Sequence, residues 1–122
     1  MKNQKCILVV DDEPDLVEIT QTHLKEAGYR VFKAFDGREG LEAAKRVKPD
    51  LILLDIAMPG MDGLQMLEVL RGTPGLAAIP VLMLTARKHS DNILEAERLY
   101  AADFLIKPFT YEELLRAVRK VL

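Results

Sequence analysis

In LILLDIAMPGMDG (51–63) an aspartate, Asp55, closes a run of four apolar residues and is followed by Ile56 and Ala57. A carboxylate beside a buried strand costs roughly several kcal/mol while it stays charged and unpaired, so its position demands a compensating partner. Polar residues close other apolar runs in the same way. Asp11, Asp12 and Glu13 follow CILVV (6–10), Thr85 ends IPVLMLT (79–85), and Lys107 follows DFLI (103–106). If the first and third runs are neighbours, Asp11, Asp12 and Asp55 meet. Two such charges about 4 Å apart repel by about 1 kcal/mol in bulk water and about 4 kcal/mol at an effective dielectric near 20, so three together need a cation. The donors are all oxygen, with no His or Cys placed to join them, which points to Mg²⁺ or a similar hard ion rather than zinc. Mg²⁺ commonly bridges carboxylates to a phosphate, so a phosphoryl group is the expected guest. Lys107 can then neutralise one phosphoryl oxygen and the Thr85 hydroxyl can donate to another.

Each residue alone has a plain structural reading. Asp-Asp-Glu-Pro after a strand is a good helix start, Asp55 can cap a turn punctuated by Pro59, Gly60 and Gly63, Lys107 can lie along an apolar edge, and Thr85 is a β-former. The chemical reading rests on their coincidence at the ends of four different runs. His23 and His89 have no ligand-spaced partners and read as solvated side chains. Cys6 reads as a small buried hydrophobe. Met58, Met61, Met66 and Met83 read as gap-fillers, and the glycines of a dinucleotide site are missing from VVDDEP (9–14).

The elements that must hold these residues are legible as an alternation. CILVV (6–10), RVFKA (30–34), DLILLD (50–55), IPVLMLT (79–85) and DFLI (103–106) are strand-like, each separated by a helix-length segment. The first, third and fourth are nearly continuous in apolar residues, as central parallel strands covered on both faces should be, whereas Arg30 and Lys33 suit an edge. Pro14 opens a helix carrying Leu16, Val17, Thr20, Leu24 and Ala27, which Gly28 closes. Asp36 with Glu39, and Thr110 with Glu113, have capping-box spacing. The second of these pairs opens a helix with Leu114, Val118 and Val121 on its inner face. Asp62 caps a helix through Leu64, Leu67 and Leu70 to Gly72, and residues 89–101 form a fourth helix with Ser90 or Asp91 as its cap. The pattern predicts a doubly wound α/β fold with a parallel sheet, whose ligands lie beyond the carboxyl ends of the strands.

With 122 residues the chain is long enough for one domain with its own core, and 49% apolar with 30% charged residues is an ordinary globular composition. A net charge of −2 removes the usual electrostatic argument for direct nucleic-acid binding. A single cysteine allows no internal disulfide. No apolar stretch approaches the roughly 18 residues of a membrane span, and MKNQK lacks the apolar core of a signal peptide, so no membrane contact and a cytoplasmic location are expected.

The motifs VVDDEP (9–14), LLDIAMPGMDG (53–63), MLTA (83–86) and FLIKPF (104–109) make the sequence resemble the receiver domain of bacterial two-component response regulators, the CheY-like superfamily. The resemblance covers essentially the whole chain, so residues 1–122 are expected to be a single receiver domain. It implies a flavodoxin-like sheet of five parallel strands in order 2-1-3-4-5 with five helices. It also implies that Asp55 is the phosphoacceptor and that Asp11, Asp12, Asp55 and the backbone carbonyl of Ala57 hold Mg²⁺. Lys107 would contact the phosphoryl group, Thr85 would swing towards it, Phe104 would turn inward on activation, and the Lys107–Pro108 peptide bond would be cis. The implied donor is a sensor histidine kinase or phosphotransfer protein, and the implied receiver of the signal is an output domain or protein. A homodimer through the fourth helix, fifth strand and fifth helix is a further family expectation. No enzyme activity is expected beyond the chain's own phosphorylation and dephosphorylation.

Two rival readings stand beside this one. A Mg²⁺-dependent phosphohydrolase would also use a strand-end aspartate, but it usually needs a second carboxylate two residues later, where this chain has Ala57. A phosphorylation-independent receiver-like scaffold would have no need of the carboxylate cluster. Tyr100, Ala102 and Ile106 depart from the family pattern without touching a site residue. Ala57 and Arg87, each two residues beyond a site residue, flank the expected approach of water.

Overall fold

The structure, a computed structural model, describes residues 4–86 and 90–122, leaving aside the side chains of residues 90–92. Five strands, β1 (Cys6–Val10), β2 (Arg30–Ala34), β3 (Leu51–Asp55), β4 (Val81–Thr85) and β5 (Asp103–Ile106), alternate with five helices, α1 (Pro14–Glu26), α2 (Gly37–Val47), α3 (Gly63–Arg71), α4 (Ser90–Arg98) and α5 (Tyr111–Val121). All strand pairs are parallel and the sheet order is β2-β1-β3-β4-β5, as expected. Among the described residues no helix is long and apolar enough to cross a membrane.

Strand side chains alternate between faces, so the apolar runs feed two cores. Leu8, Val10, Ile52, Leu54, Val81 and Met83 face one core with the inner residues of α2, α3 and α4. Ile7, Val9, Leu51, Leu53, Leu82 and Leu84 face the other, with Val17 and Leu24 of α1 and Leu114 and Val118 of α5. The strands β1, β3 and β4 are buried at every position, which is why they carry no polar alternation. No residue of β5 is fully buried.

The helix signals are largely realised. Gly28 follows α1 with a φ of 102°, and Asp62 and Thr110 form reciprocal capping boxes with Gln65 and Glu113. The Asp36–Glu39 pair differs from expectation. Asp36 accepts from the Glu39 backbone N–H, but the Glu39 carboxylate accepts from Phe35 N rather than closing the box on Asp36. His23 is another correction. It is half-buried rather than simply solvated, its ring lying against Tyr111 with centroids 4.2 Å apart, because α1 and α5 cover the same face of the sheet. The expected cap at Ser90 or Asp91 concerns side chains outside the described ones, and His89 lies outside the described residues.

The helix α4 stops at Arg98, three residues before the predicted end. Tyr100 turns the chain with a left-handed φ of 61°. Its N–H donates to Glu97 O at 2.9 Å and Ala101 N–H donates to Ala96 O at 3.0 Å, the hydrogen-bond pair of a Schellman motif. Arg71, the last residue of α3, secures this turn. Its Nε donates to Leu99 O (2.8 Å) and Nη2 to Tyr100 O (3.0 Å), while Nη1 donates to Ala77 O (3.1 Å) and Ile79 O (2.9 Å). One guanidinium thus ties the end of α4 to the segment that enters β4.

Candidate functional site

Adjacent parallel strands that end at the same level deliver their next residues to one place. Val10 of β1 pairs with Leu54 of β3, so Asp11 and Asp55 emerge side by side. The Asp11 N–H donates to Ala34 O at 3.1 Å and Ile56 N–H to Leu84 O at 3.0 Å, continuing the ladders just past the strands. Gly63 N–H donates to Ile56 O at 2.8 Å, folding the turn after β3 back on itself. A Cβ at Gly63 would collide with the carbonyl of Asp55, so this position requires glycine.

The result brings the predicted carboxylates together. Asp11, Asp12 and Asp55 offer oxygens that all lie within 4.8 Å of one another. Asp11 and Asp55 are buried, while Asp12 is half-buried. The Lys107 Nζ faces the cluster, 2.8 Å from Asp11 Oδ2 and 3.3 Å from Asp55 Oδ1. The buried Asp11 Oδ2 has this ammonium beside it and no aligned hydrogen bond among the described residues. Three carboxylates answered by one shared ammonium suit a hard cation, and the all-oxygen set matches Mg²⁺.

Burial pushes the Asp55 carboxyl up to about 6, aided by the negative charge of Asp11 and opposed by Lys107. Burial alone would lower the Lys107 pKa, but the carboxylates of Asp11, Glu13 and Asp55 outweigh it and hold the ammonium above the ordinary lysine range. Asp55 is therefore harder to ionise than a solvated carboxyl, and the Lys107 ammonium stands beside it.

Thr85 ends β4 and is buried, and its carbonyl accepts from Lys107 N–H at 2.7 Å, which joins the ends of β4 and β5. Phe104 is half-buried against the core on the α3 and α4 side. The Lys107–Pro108 bond is cis, as the resemblance implied. Ala57 is exposed and lines a cavity of about 990 Å³ with Asp12, Glu13, Asp55, Lys107 and Phe109. Arg87 lies outside the described residues.

Glu13 is the site residue that sequence reasoning left without a role. It occupies the position before α1 but makes no capping hydrogen bond with its side chain. Its Oε1 instead accepts from Lys107 Nζ at 3.0 Å, across 94 positions of sequence. The available signal was its type, since glutamate is not among the residues favoured at a helix N-cap.

A family model for the response regulator receiver domain matches residues 7–119. The alkaline phosphatase synthesis transcriptional regulatory protein PhoP of Bacillus subtilis is 42% identical over 119 residues, covering 97% of this chain and 48% of that protein. The DNA-binding dual master transcriptional regulator RpaA of a Synechocystis strain is 40% identical over 116 residues, covering 95% and 48%. The chain spans about half the length of these curated relatives. Among solved structures, the chemotaxis protein CheY4 of Vibrio cholerae matches with a TM-score of 0.94 and 33% identity, covering 98% of this chain and 100% of that one. The signal receiver domain of a histidine kinase from Syntrophus aciditrophicus matches with a TM-score of 0.88 and 34% identity, covering 97% and 89%.

Proposed function

Because the chain belongs to the response regulator receiver domains, we propose that residues 1–122 form a single receiver domain in which Asp55 accepts a phosphoryl group from a phosphohistidine of a sensor histidine kinase or phosphotransfer protein. The observation that carries this reading is the buried Asp55 carboxylate with Lys107 Nζ 3.3 Å away and two further carboxylates beside it. One Asp55 oxygen forms a bond to phosphorus as the bond from phosphorus to the donor histidine breaks. The electron pair of that bond leaves on the imidazole nitrogen, and an acyl phosphate remains. Lys107 stabilises charge on the transferring oxygens, and the Thr85 hydroxyl donates to one of them. Asp11, Asp12, Asp55 and the Ala57 carbonyl would hold Mg²⁺, which when bound neutralises part of the charge on the phosphoryl oxygens. Water later attacks the phosphorus, the bond from phosphorus to the Asp55 oxygen breaks with its electron pair left on the carboxylate, and inorganic phosphate leaves with the water oxygen.

The acyl phosphate adds about one to two negative charges at the strand ends and biases the surface through Thr85 and Phe104 towards an output domain or protein. Leu94, Tyr100 and Ile106 are exposed on α4, the turn after it and β5, and support this face as the output surface or as the contact of a homodimer. PhoP and RpaA are named as transcriptional or DNA-binding regulators. The net charge of −2 favours protein rather than nucleic acid as the direct partner of these residues.

The test is incubation with Mg²⁺ and acetyl phosphate, followed by intact mass, for wild type and Asp55→Asn. A single phosphoryl adduct on the wild type alone is expected, dependent on Mg²⁺. No adduct, or an equal adduct on Asp55→Asn, would reject the reading. Multiple turnover of a phosphate ester would favour the phosphohydrolase, although Ala57 supplies no second carboxylate.

A further inference from the structure

The Lys107 ammonium is held by more than the two buried aspartates. Its Nζ lies 2.8 Å from Asp11 Oδ2, 3.0 Å from Glu13 Oε1, to which its aligned hydrogen bond goes, and 3.3 Å from Asp55 Oδ1. The Lys107 side chain is 14% exposed and that of Glu13 is 61% exposed, so Glu13 draws the ammonium towards the mouth of the cavity. The backbone of the same residue acts on the other side of the site, since Glu13 N–H donates to Asp11 Oδ1 at 3.0 Å. The Glu13 carboxylate serves no helix cap, and its contact with Lys107 is the one described interaction of that side chain.

Building on Asp55 as phosphoacceptor, we propose that Glu13 is a positioning residue that restrains Lys107 before phosphorylation and so sets how fast the site takes up a phosphoryl group. In this proposal Lys107 turns from Glu13 at the mouth towards a phosphoryl oxygen on Asp55, and its contact with Glu13 is given up on the way. The restraint acts on the unphosphorylated state, where Lys107 is bound to Glu13, and not on the transition state, where it faces the phosphoryl oxygens. Removing it lowers the barrier to phosphorylation. Hydrolysis begins from a state in which Lys107 has already moved, so its barrier stays the same. Glu13 therefore acts on gain of the group and not on its loss, a split that a general structural role would not produce.

Acetyl phosphate is the probe. An Asp55 oxygen forms the bond to phosphorus, the bond from phosphorus to the acetate oxygen breaks, and acetate leaves with the electron pair. Glu13→Gln removes the charge, and Glu13→Asp keeps the charge but shortens the reach. Exposed ion pairs contribute up to about 1 kcal/mol, so both variants should phosphorylate about three- to fivefold faster than wild type with Mg²⁺, with hydrolysis rates unchanged. In a Lys107→Ala background Glu13→Gln should bring no acceleration. Without Mg²⁺ or donor, the Lys107 Cε–Nζ group should become more mobile by NMR in both variants, and thermal melts should report an intact fold. A wild type that takes phosphate on Asp55 while both variants keep its rate would overturn the proposal. So would acceleration in Glu13→Gln alone, which would mark a field at the mouth rather than a held lysine, or acceleration that persists without Lys107. A wild type with no Asp55 adduct would instead reject the underlying phosphoacceptor reading.

Discussion

Asp55→Asn should make the protein more stable, and only above a defined pH. In the folded chain the Asp55 carboxyl titrates at about 6 instead of 3.8, because burial and the charge of Asp11 disfavour its ionised form. Between those values the native state binds more protons than the unfolded state, so stability falls as pH rises through the window. The contribution is complete below about pH 4 and gone above about pH 6. A difference of about two units corresponds to about 3 kcal/mol. The Lys107 contact is already counted in that shifted value, but burying the asparagine amide in the same place offsets part of the gain. A net stabilisation of about 2 kcal/mol at pH 7.5 is expected, which for a chain of this length is about 8 °C in Tm. Urea denaturation of both proteins at pH 7.5, 6.0 and 4.5 measures it, and the two curves should converge at the lowest pH. A gap that stays constant with pH, or a less stable asparagine variant at pH 7.5, would refute the assignment of strain to the ionised Asp55. Saturating Mg²⁺ should raise the wild-type Tm more than that of Asp55→Asn, since the ion relieves the same repulsion.

Other outcomes can be checked on the same material. Arg71→Ala removes the donors from four backbone carbonyls and should cost about 2–4 kcal/mol in urea denaturation, with Arg71→Lys recovering only part because an ammonium cannot span both segments. Tyr100→Gly should stabilise the chain by about 1 kcal/mol, because Tyr100 holds a φ of 61° while 80% exposed and has little packing to lose; an equal or lower Tm would contradict this. Replacing the exposed Ala57 with leucine should cover the approach of water and lengthen the phosphoryl lifetime about threefold, or about 0.7 kcal/mol in barrier, with the melt unchanged. Unaltered decay would remove Ala57 from the water path.

What could be read in the sequence depended on whether the signal was local. CILVV, LILL and VLML announce themselves because strands buried on both faces need no polar alternation. Asp55 stood out because a charge at the end of such a run has few harmless explanations. Proline, glycine and capping residues marked α1, α3 and α5 for the same local reason. Strand order came from resemblance, since periodicity does not say which strands are neighbours. Contacts between distant segments were harder to read. The partners of Glu13, His23 and Arg71, which are Lys107, Tyr111 and the carbonyls of Leu99 and Tyr100, are set by packing and not by local pattern. The early end of α4 was hidden because a tyrosine in the left-handed region carries none of the sequence signal of glycine.

The distribution of burial suggests where the charge on Asp55 does its work. Asp55 belongs to β3, fixed between β1 and β4, and every residue of these strands is buried. Lys107, the proposed partner of a phosphoryl group, follows β5, where no residue is fully buried and one side of the strand has no neighbour in the sheet. Local opening is cheapest where few apolar contacts are lost. A force between Asp55 and Lys107 is therefore met by a rigid partner and a yielding one, and the displacement falls on the yielding side. The hydrogen bond from Lys107 N–H to Thr85 O couples that displacement to the end of β4, and Phe104 lies in the same short strand. At the far end of this edge, Arg71 grips the turn that leaves α4. On the proposed function, motion that starts at Lys107 would grow at the site end of β5, beside the exposed Ile106, while the turn at Tyr100 stays held.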